Sequence, residues 1–145
     1  MSQHPNQQKF YIDENLPAPV SACLQTLFRG ASSCSSHALD AMDGTKDIPL
    51  LHYLAEEGYG YFITQDLKQM TILQEREALK TSGMSWIGVP HMERQVKGKQ
   101  LVAAQVAVLA PVVGRLLKEP LSRPTAYYLH EARSTKDLIR CSEAI

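Results

Sequence analysis

The sequence has little of what staples or metallates a small fold. Its three cysteines, Cys23, Cys34 and Cys141, are odd in number and widely spaced, and no C-x-x-C pair occurs. Neither a disulfide framework nor a thiolate zinc site is suggested, and three reduced thiols in a cytoplasmic protein are expected. His4, His37, His52, His91 and His130 are too scattered for H-E-x-x-H or any compact metal motif. G-x-S-x-G, P-loop and G-x-G-x-x-G sequences are missing too, which argues against a hydrolase elbow or nucleotide binding. The longest apolar stretch, Leu101 to Leu117, is broken by Gln105, Pro111, Gly114 and Arg115. A membrane span needs ~20 apolar residues, so no membrane association is expected. Residues 1–8 (MSQHPNQQ) carry no apolar run and read as a flexible tail, not a signal peptide.

What is present suits one ordinary domain over residues 9–145. Apolar residues make up 44% of the 145 and charged residues 21%, enough to build a core and too apolar for a disordered chain. Net charge is zero but unevenly spread. Residues 1–66 carry three Lys/Arg against eight acids, and residues 67–145 carry twelve against seven. An acidic half joined to a basic half fits a metal site beside a phosphate-binding surface, and fits equally two halves that attract each other.

The patterning alternates strand and helix. KFYID (9–13) reads as a strand, followed by a helix that enters at Pro17 and stops at Gly30. A weak strand is expected within 31–39, then a turn-rich loop at 43–47 and a helix over 47–57 that ends at Gly58. A buried strand at 61–64, a helix through about 67–80, a strand at 84–89 and a long helix over about 95–113, kinked or broken at Pro111, come next. A last strand is expected near 126–129. This order predicts an α/β fold, three layers α/β/α around a mostly parallel sheet of four to five strands, with right-handed connections.

In such sheets ligands collect beyond the carboxyl ends of the strands. Asp13 follows the first strand directly, Asp66 follows the strand at 61–64, and Asp47 opens the helix leading into it. Converging carboxylates repel one another, and a hard divalent cation removes that penalty. Metal-dependent phosphodiester hydrolysis fits a cluster of this kind. The plainer alternative is that Asp47 and Asp66 only cap their helices.

The segments FYIDENLP (10–17), GTKDIPLLHYLAEE (44–57) and FITQD (62–66) resemble the PIN-like nuclease family, which includes VapC-type toxins of toxin–antitoxin modules. The resemblance covers about residues 9–90. It implies a PIN-like fold and a metal-dependent endoribonuclease, the toxin of a type II module. Mg²⁺ or Mn²⁺ would be held by Asp13, Asp47 and Asp66, which are also the catalytic residues it implies. Thr64 would orient Asp66 or the substrate through its hydroxyl, and Asn15 would hold the first turn. Glu14 is expected to support the site at most. Two departures stand out: Lys68 replaces a further acid after Asp66, and Ile48-Pro49 follow Asp47 where relatives begin Asp-Glu. Fewer acids imply one tight metal or a weakened enzyme, with Asp43 as a substitute ligand.

The implied partners are an RNA substrate and a cognate antitoxin protein. Nine basic residues against three acids between 94 and 140 form a candidate RNA track or, equally, a solvated face, and the expected RNA-binding residues are Lys68, Arg94, Lys97 and Lys99. Tyr127 and Tyr128 are candidates to stack an unpaired base. The helix around 101–113 is apolar nearly all round, which predicts burial on more than one side and a homodimer or partner contact. Two other readings remain: a non-catalytic PIN-like module binding RNA or protein, and a phosphatase-like or receiver-like α/β domain. The latter needs a late-strand Lys, and none stands out.

Overall fold

In Lys9–Ile12 (β1) every residue after Lys9 is buried, and Ser85–Gly88 (β4) is buried throughout. Successive strand side chains face opposite ways, so both faces of these strands must be covered. Tyr59–Thr64 (β3) buries its last four residues in the same manner. Strands of this kind belong inside a parallel sheet. The structure is a computed structural model that describes residues 9–28, 33–35, 47–94, 96–130 and 144. Within them, Ser33–Ser35 (β2) and Ala126–Tyr128 (β5) complete a five-stranded sheet in the order β2-β1-β3-β4-β5, with every neighbouring pair parallel. The tail 1–8, Asp43 and the loop up to residue 46 lie outside the described residues.

Four helices cover the sheet: Ala18–Leu27 (α1), Asp47–Glu56 (α2), Leu73–Ser82 (α3) and Gly98–Lys118 (α4). On one face Phe10, Ile12, Tyr61, Ile63 and Ile87 pack with Val20 and Leu24 of α1 and Leu109, Val113 and Leu116 of α4. On the other, Tyr11, Phe62 and Trp86 pack with Leu50, Leu51 and Leu54 of α2 and Leu79 of α3. The arrangement is three layers, α/β/α. Each fully buried side chain of this size contributes roughly 1.5–3 kcal/mol by leaving water.

One connection departs from the expected handedness. The chain moves from β3 to β4 with α3 on one face, then in the same direction from β4 to β5 with α4 on the opposite face. The β4–α4–β5 crossover therefore has the opposite hand to the other three, against a strong right-handed preference. After β4, Val89 and Met92 are already buried in the α1/α4 layer.

The helix expected over 67–80 is two pieces, a 3₁₀ turn at Leu67–Thr71 and then α3. The break falls at Ile72, which is extended (φ −91°, ψ 110°). Thr71 Oγ1 donates to the Lys68 carbonyl at 2.6 Å, a local bond that competes with helix continuation beside two β-branched residues. By contrast α4 starts later than expected and runs through Pro111 to Lys118. The carbonyl that Pro111 leaves without a helical donor belongs to Ala107, and both residues are exposed, so water can meet it. Nor is α4 buried all round. By length and apolarity it could cross a bilayer, yet its buried positions, Gln105, Leu109, Val113 and Leu116, form one stripe against the sheet.

Tyr61 stacks on Phe10 with ring centroids 4.5 Å apart, and its hydroxyl oxygen accepts the Leu121 N–H at 3.2 Å. Burial pushes its pKa above the ordinary 10.0, with Tyr127 adding to the rise and the Leu121 bond opposing it. A phenol whose folded pKa is raised stabilises the fold fully below pH 10 and loses that contribution as pH climbs through the folded value. In an alkaline titration followed by phenolate absorbance, Tyr61 should contribute a late step above its ordinary value of 10.0. Tyr61→Phe should remove that late step, and its persistence in the variant would assign it elsewhere.

Candidate functional site

The strand order reverses between β1 and β3: the chain leaves β1 toward β2 on one side, then returns to β3 on the other. At such a switch point the connecting segments splay apart and leave a crevice at the carboxyl ends. Asp13 comes directly after β1 and Asp66 two residues after β3, so both lie at this crevice.

Thr64 joins them. It is fully buried at the end of β3, and its hydroxyl donates to Asp13 Oδ2 at 2.8 Å. The same oxygen accepts from Asn15 Nδ2 and from the Asp66 N–H, each at 3.0 Å. One donation and two acceptances use the full capacity of a hydroxyl. The second Asp13 oxygen, Oδ1, accepts the Glu14 N–H at 2.8 Å, and the Asp13 N–H donates to the Ile63 carbonyl at 2.8 Å. Asn15 closes the junction. Its Oδ1 accepts the Gln65 N–H at 3.2 Å and its carbonyl accepts from Gln65 Nε2 at 2.7 Å.

The two carboxylates are thus held differently. Asp13 is half-buried, with both oxygens hydrogen-bonded. Asp66 is fixed by its backbone alone: it precedes the 3₁₀ turn but makes no side-chain capping bond. Among the described residues its carboxylate has no hydrogen bond or ion pair, so the capping role that would explain an acid here is not the one it plays. An anionic group held at a crevice without a partner is available to a ligand.

No family model, curated protein or solved structure matches this chain. Its chemistry has to be read from the residues themselves. Of the other expected site residues, Asp47 opens α2, which runs back to the start of β3, so its backbone lies toward the same carboxyl edge; only that backbone is described. Glu14 is exposed. Lys68 is exposed two residues beyond Asp66, and Arg94, Lys97 and Lys99 are exposed in the link after β4 and the first turn of α4. Among the described residues no group of three or more His, Cys, Asp and Glu side chains gathers; the described pair is Asp13 and Asp66.

Two glutamines extend the junction inward, and neither was anticipated. Gln65 is buried, and its Oε1 accepts from Gln105 Nε2 of α4 at 3.3 Å. Gln105 is fully buried in the stripe that faces the sheet. The one signal for it was an amide inside an apolar helix face, since a buried polar residue is the informative exception in a core. The relay from Gln105 through Gln65 to Asn15 ties α4 to the turn that carries Asp13.

Proposed function

We propose that the chain is a PIN-like, metal-dependent endoribonuclease, the toxin of a type II toxin–antitoxin module, with a cognate antitoxin protein as partner. The observation that carries the reading is the Thr64 hydroxyl, which ties the Asp13 carboxylate to the Asp66 backbone at the switch point, while among the described residues the Asp66 carboxylate has no partner. The donor set fits Mg²⁺ or Mn²⁺. These hard cations take one or two protein carboxylates and complete their shells with water and substrate phosphate oxygens. Asp13 and Asp66 supply two such carboxylates, and Asp47 is the third residue in the proposal.

A bound divalent cation would neutralise a scissile phosphate and lower the pKa of a water ligand. The chain's own residues do the rest. Thr64 and Glu14 N–H hold the Asp13 carboxylate in one orientation, and Asn15 keeps the β1 turn against the end of β3. Lys68, Arg94, Lys97 and Lys99 are the candidate contacts for the RNA backbone, and exposed Tyr128 is a candidate stacking surface.

The test is cleavage of single-stranded RNA by the purified chain. Cleavage is expected with Mn²⁺ or Mg²⁺, and chelation should abolish it reversibly. RNA that is bound but left intact with either metal would overturn the enzymatic reading in favour of a non-catalytic binding module. A second reading, a receiver-like domain phosphorylated on Asp66, is favoured by the strand order, which is the flavodoxin-like one. It requires a lysine at the end of β5, where Leu129 and His130 stand instead.

A further inference from the structure

A groove of about 360 Å³ lies between α3 and the amino ends of β4 and β5, at the opposite edge of the sheet from Asp13 and Asp66. Its floor is apolar: Met70, Leu79 and Trp86, all buried. Its rim is basic: Arg76 and Lys80 of α3 and Arg123 before β5, all exposed. Among the described residues no acidic side chain lines it, and none of the three cations makes an ion pair. Arg76 and Lys80 stand four residues apart on one helix face, a spacing at which like charges repel. Arg123 adds a third positive charge at the same mouth.

We infer that this groove binds a small amphipathic anion, an apolar body carrying one phosphate or carboxylate. The volume lies in the range of small-molecule sites, which are mostly apolar with a few placed polar groups. An apolar body would cover Met70, Leu79 and the Trp86 ring, while the head group would relieve the mutual repulsion of the rim. Charge focused in a concave apolar setting is felt more strongly than on an open surface. The inference does not depend on the ribonuclease reading, because none of its residues belongs to the carboxylate site.

Trp86 is the chain's one tryptophan, so its fluorescence reports occupancy directly. Phenyl phosphate is the first probe. It should shift the emission saturably and bind at least ~10-fold more tightly than either phenol or inorganic phosphate, since each lacks one half of the match. Adenosine monophosphate and octanoate then separate an aromatic phosphate from an aliphatic carboxylate as the source of the anion, and binding of neither would overturn the inference. Lys80→Glu and Arg123→Glu, at exposed positions, should each weaken phenyl phosphate by about 10-fold. Equal affinity for phenol and phenyl phosphate, or unchanged affinity in both variants, would overturn it as well.

Discussion

On the proposed ribonuclease reading, Asp66→Asn is expected to leave folding unchanged and to lower metal-dependent RNA cleavage by at least ~100-fold, more than the usual loss from removing a residue that only supports a metal ligand. The separation follows from how the residue is held. Its backbone N–H meets Thr64 Oγ1, a bond the substitution keeps, and its carboxylate has no partner among the described residues to lose. The denaturant midpoint should therefore move by less than the equivalent of ~0.5 kcal/mol. Asp13→Asn is the less clean experiment. Both Asp13 oxygens accept hydrogen bonds, from Glu14 N–H and from the Thr64 hydroxyl. An asparagine can offer its single oxygen to only one of them. Turned toward Glu14, its amide faces an oxygen that already accepts from Asn15 and Asp66; turned toward Thr64, it faces an N–H. Either choice sets donor against a group with no room for it, at a cost of about 1–3 kcal/mol. Asp13→Asn should lose cleavage and stability together, whereas Asp66→Asn should lose cleavage alone. A wild-type rate in Asp66→Asn would remove that carboxylate from the chemistry.

Gly88→Ala should lower stability by about 2 kcal/mol, or roughly 5–10 °C in thermal midpoint, while Gly114→Ala raises it by up to ~1 kcal/mol. The same methyl group has opposite effects because of what it meets. At Gly88, the last residue of β4, a Cβ would press into the Trp86 indole, with Cζ3 2.7 Å away, and would lie 2.9 Å from Leu67 Cδ2. The indole cannot step aside cheaply. Its Nε1–H donates to Gln69 Oε1 at 2.9 Å, and Tyr128 covers it with ring centroids 5.0 Å apart. At Gly114 in α4 the nearest atom is Phe28 Cε1 at 3.5 Å, an ordinary contact, and alanine improves the helix. Calorimetry on the two variants measures the contrast, and a neutral Gly88→Ala would mean that Trp86 is free to move.

The layered architecture was legible because it is written locally. Strands that alternate with amphipathic helices and end in Gly58, Gly83 or Pro90 leave few other options, and the two faces of β1 and β3 read directly from alternate residues. Asp13, Asn15, Thr64 and Asp66 were legible because strand ends at a switch point are few. Gln65 and Gln105 were not, since their pairing depends on α4 lying over the same face as α1. A rule of uniform handedness would put α4 on the other side, where Gln105 could not reach Gln65. The groove beside Trp86 was hidden for a related reason. Arg76 and Lys80 belong to a helix that begins anew after Ile72, and Arg123 is distant in sequence.

Among the described residues, both rims of the sheet are three-residue strands, β2 and β5. A foreign strand docking on either rim would find only a short ladder of main-chain donors and acceptors, too short to template fibrillar stacking.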